Sequence, residues 1–152
     1  MRSHFLSIKA IIIFCLIITL VCPVSVFAAT PETVSPCASY YLDAYNTYVC
    51  AMGGGELQIW FEVMGTDDMD EIGTLSIMLY ESTDNTNWSY LTTFLHEDYD
   101  SMLVEDDFYH LDYVPYYNAV KGRYYKAYVC IWAGKNGGGD TRYMWTPSER
   151  AT

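Results

Sequence analysis

The stretch that most constrains the fold is Gly122-Arg-Tyr-Tyr-Lys-Ala-Tyr-Val-Cys-Ile-Trp-Ala-Gly-Lys-Asn-Gly-Gly-Gly-Asp-Thr-Arg-Tyr-Met-Trp145. Tyr125, Ala127, Val129, Ile131 and Ala133 recur at every second position. That is the period of a strand with one face on a core. Asn136-Gly137-Gly138-Gly139 then reverses the chain, because asparagine and glycine accept positive φ at little cost. A second strand leaves through Tyr143 and Trp145. This hairpin sets an all-β class and leaves the function open.

The rest of the chain extends the same pattern. Ser39 to Met52 is rich in tyrosine and reads as a strand, and Gly53-Gly54-Gly55 turns it. In Glu56 to Val63 the alternation puts Leu57, Ile59, Phe61 and Val63 inside, and Gln58, Trp60 and Glu62 outside. Thr66 to Glu71 reads as an acidic loop. Ile72 to Glu81 reads as a strand with Leu75, Ile77 and Leu79 on one face. Ser82 to Asn87 has turn chemistry, and Trp88 to Leu95 is a further strand. His96 to Asp107 is expected as a long loop with one helical turn. Phe108 to Val114 returns to strand, Pro115 interrupts it, and Val120-Lys121-Gly122 turns into the hairpin. About seven short strands with no amphipathic helix predict a single antiparallel β-sandwich of immunoglobulin-like, fibronectin III-like type over residues 39–152.

Residues 1–28 read as a signal peptide. Arg2 and Lys9 precede thirteen almost wholly apolar residues, Ala10 to Cys22, and Val26-Phe27-Ala28 offers a cleavage site after Ala28. Thirteen residues at 1.5 Å each would span only about 20 Å as a helix. Counting on through Pro23 to Ala29 reaches twenty residues, so a retained anchor stays open. Residues 29–38 form a loose leader without period. The expected localisation is secreted or extracellular, with no membrane contact after cleavage.

After residue 28, nineteen Asp and Glu face six Lys and Arg, a net charge of −13. Such a surface repels nucleic acid, whose binding rests on neutralised phosphates, and keeps an exported domain soluble. All fifteen tyrosines also lie in this part, beside four tryptophans. Extracellular binding surfaces use these residues for large, rigid contacts, and sandwich strands use them for cross-strand packing.

Candidate chemistry is sparse. His96 and His110 sit in or beside acidic stretches, and no G-x-S-x-G elbow occurs. No catalytic residue, cofactor or metal ligand is assigned, and an enzyme is not expected. Asp67, Asp68, Asp70 and Glu71 could brace a loop through calcium, but the EF-hand pattern is absent and a solvated acidic loop is the simpler reading. Asn87-Trp88-Ser89 matches a glycosylation sequon. By parity Trp60, Tyr128 and Trp132 point away from the core and form a candidate ligand platform.

Gly122-x-x-Tyr125-x-Ala127-x-Val129, followed by Asn136-Gly-Gly, resembles strand F and the following turn of fibronectin type III and related immunoglobulin-like domains. That resemblance implies a tyrosine corner at Tyr125, with its hydroxyl tied to upstream backbone. Ser39-Tyr-Tyr-Leu42 with Tyr45, Met69-Asp-Glu-Ile-Gly73, Trp88, Met102, Tyr124-Tyr125-x-Ala127 and Ala133-x-Lys-Asn-Gly137 with Asp140-Thr-Arg142 resemble a family of small exported proteins of unknown function from low-GC Gram-positive bacteria. It implies a signal peptide and a sandwich, and no activity.

Cys37, Cys50 and Cys130 remain after cleavage, and none has metal-ligand spacing. The immunoglobulin resemblance places the start of strand A and the end of strand F at one end of the sandwich, and so favours Cys37–Cys130 over Cys50–Cys130. Parity opposes a bridge through the core, because Cys130 is out of phase with Val129 and Ile131. The expected function is a non-enzymatic extracellular module that binds a glycan or a surface protein. The alternatives are a self-associating surface or matrix protein and, third, a small secreted hydrolase.

Overall fold

A computed structural model describes residues 39–152. The expected signal peptide, its cleavage site, the leader and Cys37 lie outside the described residues. Seven strands follow in order: β1 (Leu42–Gly53), β2 (Glu56–Ser82), β3 (Ser89–Leu95), β4 (Leu103–Tyr116), β5 (Tyr124–Lys135), β6 (Gly138–Trp145) and β7 (Glu149–Arg150). One 3-10 turn, Asp100–Met102, precedes β4. Every pairing is antiparallel. None of the described helical segments is long and apolar enough to cross a membrane.

The sheet is organised by β2, which runs for 27 residues. Its first part takes β1 on one edge and the end of β4 on the other. Its second part takes β5 on one edge, and β3 and the start of β4 on the other. β6 then pairs outside β5. Leu57, Ile59, Phe61 and Val63 from the first part are fully buried, as are Ile77 and Leu79 from the second and Tyr125, Ala127, Val129, Ile131 and Ala133 from β5. All belong to one apolar cluster, so the sheet curls until its inner rows share a core.

β2 overturns the expected break at Thr66–Glu71. There is no loop there; the strand continues through a bend where pairing with β4 lapses between Met64 and Met69. Met69 is the reason. It is the one apolar residue among the acids, it is 2% exposed, and its burial holds the acidic stretch to the core. Leu75 also departs from its expected inward row. An irregularity between Thr74 and Ser76 leaves it half-buried and turns Thr74 inward instead.

The expected long loop at 96–107 is short as well. A turn and the 3-10 segment occupy residues 96–102, and β4 already carries Glu105, Asp106 and Asp107. Asp106 has φ +55, which marks a local kink. β4 pairs only with β2 and is an edge strand, where charges and Pro115 are tolerated because one side needs no ladder hydrogen bonds. Gly73 explains the tight join between β2 and the 3-10 turn. Its φ is +147, and a Cβ there would overlap the Met102 carbonyl.

The β5–β6 hairpin is tighter than expected. Lys135 pairs with Gly138, so Asn136 (φ +53) and Gly137 (φ +77) alone make the turn. Positive φ at both central residues is the type I′ geometry that matches strand twist. Two acids of the β2 bend brace this hairpin. Asp67 pairs with Lys135 Nζ at 2.8 Å, and Asp70 accepts the Asn136 N–H at 2.6 Å. Asp140 braces it from the other side, accepting Ser39 Oγ–H and the backbone N–H groups of Tyr40 and Tyr41.

Candidate binding face

The three residues expected as one platform occupy two different faces. Trp60 lies outside the half formed by β1, the first part of β2 and β4. Its cross-strand neighbours Tyr48 and Tyr113 flank it, with ring centroids at 6.1 and 4.7 Å. Tyr128 and Trp132 lie outside the other half, on β5. Parity fixes which side of a strand a residue takes; it does not reveal that β2 carries its early residues to one half and its partners on β5 to the other.

Around Tyr128 the structure gathers rings that periodicity alone left unassigned. Trp145 and Tyr143 of β6 sit opposite Tyr128 and Cys130. Tyr128 contacts Trp145 at 4.8 Å and stacks on Tyr143 at 5.7 Å, with 16° between planes. Tyr80 of β2 meets Trp145 at 5.1 Å edge-on and Tyr90 of β3 at 5.8 Å. Lys126 places its ammonium 4.3 Å from the ring centres of both Trp88 and Trp145. Tyr90, Tyr143 and Trp145 are exposed by 57%, 59% and 45%. The available signal was the alternation of Tyr143 and Trp145 on β6, whose register opposite β5 is a non-local fact.

Charge divides this face. The outward positions from Ser76 to Tyr80 on β2, Lys126 to Trp132 on β5 and Thr141 to Trp145 on β6 carry no Asp or Glu. The face spans about 20 Å between Lys126 and Trp132, at ~3.3 Å per residue. At the Trp132 end it opens into a groove of about 560 Å³ lined by Asp70, Glu71, Glu105, Asp106, Trp132 and Lys135 with glycines of the hairpin. There the Trp132 indole covers the paired glycines Gly134 and Gly139. A Cβ on Gly134 would lie 2.7 Å from Trp132 Cζ2, and one on Gly139 would overlap the ring. Trp132 Nε1–H donates to Glu71 at 3.1 Å.

The remaining sequence candidates have local structural partners. Tyr125 is fully buried, and its hydroxyl accepts the Val120 N–H at 2.7 Å, five residues upstream. Burial pushes the Tyr125 phenol above its ordinary value. His110 is buried against Phe61 and donates Nε2–H to the Ser101 carbonyl at 2.7 Å. His96 lies 3.4 Å from Glu97. The Lys135 hydrogen bond holds the Asp67 carboxyl below its usual range. Asp67 and Asp70 thus act as braces, and Asp68 is exposed. Among the described residues no group of three or more His, Cys, Asp or Glu could hold a metal ion.

Cys50 is half-buried and Cys130 is buried; the two do not bridge each other. Tyr143 lies opposite Cys130, and the neighbouring thiol raises the Tyr143 phenol above its ordinary value. The favoured Cys37–Cys130 pair has one member outside the described residues.

These features define an all-β protein made of one curled antiparallel sheet of seven strands with an aromatic outer face. No family model matches the chain, and no curated protein sequence matches it. A solved structure, that of Spo0M, a sporulation control protein from Bacillus subtilis, is similar over 70% of this chain at 10% identity and a TM-score of 0.40. The match covers 48% of that protein, so this chain spans about half its length.

Proposed function

We propose that the chain is an exported, non-enzymatic binding module with a fibronectin III-like sandwich, which holds a glycan along the outer face of β5 and β6. The observation that carries this reading is the aromatic strip that runs from Trp145 and Tyr128 towards Trp132, partly exposed and free of carboxylates up to the groove at its Trp132 end. Soluble domains rarely leave such a patch uncovered without a partner, and rings with a polar tip suit ligands that mix apolar faces with hydroxyls.

The sandwich reading draws support from strand order. With the two parts of β2 taken as strands B and C, β1-β2-β4 corresponds to A-B-E and β3-β2-β5-β6 to C′-C-F-G. The Tyr125–Val120 hydrogen bond has the form of a tyrosine corner. Export draws support from the charged, apolar and small-residue pattern of residues 1–28.

The test is a glycan array probed with the full chain and with a Tyr128→Ala/Trp145→Ala double variant. Retention by the wild type and at least tenfold weaker retention by the variant, with its melting temperature checked in parallel, is the expected result. Absence of retention by any glycan would sink the reading. Light-scattering mass that rises with concentration would then move the face to self-association.

A further inference from the structure

We infer that the groove at the Trp132 end of the strip is a subsite for a protonated amino sugar, so that the ligand is a polysaccharide carrying free amines, a deacetylated hexosamine polymer. The inference rests on the glycan reading above and names the class of glycan.

The floor comes first. The Trp132 indole has one face against Gly134 and Gly139, and its nitrogen is tied to Glu71, so the ring is fixed at the groove. An indole held this way suits the apolar face of a pyranose ring, and no side chain at either glycine competes for the space. The paired glycines beneath an aromatic ring also have a packing use, covering a gap in the sheet. That use accounts for the contact with the glycines, and the half-buried ring also lines the groove.

The walls then set the charge. Glu71 and Glu105 stand directly opposite each other across β2 and β4, an arrangement that costs stability in a sheet. The nearest cation, Lys135, is committed to Asp67. Among the described residues none of the ion pairs includes Asp70, Glu71, Glu105 or Asp106. An ammonium group above the indole would meet the ring's negative face and these carboxylates together. The net charge of −13 after residue 28 attracts a polycation over longer range.

A hexosamine fits this set better than a lysine side chain. It brings a ring face for the indole and an ammonium for the acids on one rigid unit. The carboxylate-free strip beyond the groove supplies Tyr128, Tyr143 and Trp145 for the sugars that follow. A lysine peptide has no ring faces to place there.

Titration calorimetry on the full chain tests the inference with a β-1,4-linked glucosamine hexamer, its fully N-acetylated counterpart and hexalysine. Mildly acidic buffer keeps the sugar amines protonated and the carboxylates charged. The glucosamine hexamer is expected to bind at least tenfold tighter than the acetylated one and than hexalysine. A Glu71→Gln/Glu105→Gln variant keeps an acceptor for Trp132 and is expected to bring the two sugars within about twofold, with an unchanged or higher melting temperature. Equal binding of the two sugars by the wild type would overturn the amino-sugar assignment and leave the glycan reading standing. Hexalysine binding as tightly as the glucosamine hexamer would overturn it in favour of a basic peptide. Binding of neither sugar would overturn the amino-sugar assignment, and the glycan reading would then stand or fall on the array.

Discussion

Each half of the curled sheet presents tryptophan and tyrosine on its outer face, and the two faces differ in what surrounds the rings. Trp60 lies between Tyr48 and Tyr113 as the middle of a cross-strand row, and the neighbouring Glu62 accepts a hydrogen bond from the Tyr109 hydroxyl at 3.0 Å. Its ring faces have partners within the sheet. The β5–β6 face carries more rings over a longer track, its acids are confined to one end, and Tyr90, Tyr143 and Trp145 remain exposed. The difference teaches that an outward aromatic is a binding candidate only where the neighbouring strands gather it with rings that stay exposed. Register decides that, and parity does not.

Substitutions can break the comparison. The largest expected effect is on stability at the first face. Trp60→Ala should cost about 2 kcal/mol, because a half-buried indole and two cross-strand aromatic contacts are lost; glycan affinity should not move. Chemical denaturation alongside a binding titration checks both halves of that statement. A fall in affinity with no loss of stability would reverse the roles assigned to the two faces.

Acid should act next, and mainly on the half that carries the strip. Hydrogen bonds from Asn87, Thr86 and Ser82 hold the Asp84 carboxyl well below its usual range in the β2–β3 turn. A hydrogen bond from Ser39 and one from Lys135 lower Asp140 and Asp67 at the β5–β6 hairpin. A carboxyl whose folded value is depressed contributes stability that is present above its unfolded value, near pH 3.9, and is lost as pH falls towards the folded value. The melting temperature should therefore hold from neutral pH to about 4 and fall below it. An Asp84→Asn variant should flatten that fall, and an unaltered acid limb in the variant would count against Asp84.

The smallest effect concerns Lys126. Lys126→Met keeps the aliphatic stem between Trp88 and Trp145 and removes the cation, so the stability cost should be about 0.5–1 kcal/mol. The ends of the strip differ in charge, so the affinity for the acetylated hexamer should stay within about twofold.

Much of this architecture was legible from local pattern. The row Leu57–Val63 alternates throughout, Tyr125–Ala133 alternates except at the buried Cys130, and the Asn136-Gly137 turn follows from residue type. Two stretches were not legible, for one physical reason. Around Met69 and around Glu105 the local composition is acidic, and strand is kept there by a single buried methionine and by pairing to a distant segment. The face was half legible. Tyr128 and Trp132 were placed outward correctly, whereas their company of Tyr80, Tyr143 and Trp145, and the separation of Trp60 from them, depend on which strands pair.

One spectrum tests the central claim directly. The chain has four tryptophans, Trp60, Trp88, Trp132 and Trp145, and each gives one indole N–H signal in a nitrogen-edited NMR spectrum. Titration with the glucosamine hexamer should shift Trp132 most, move Trp145 and Trp88, and leave Trp60 in place. Shifts centred on Trp60, or four signals unmoved at saturating sugar, would contradict the assignment of binding to the β5–β6 face.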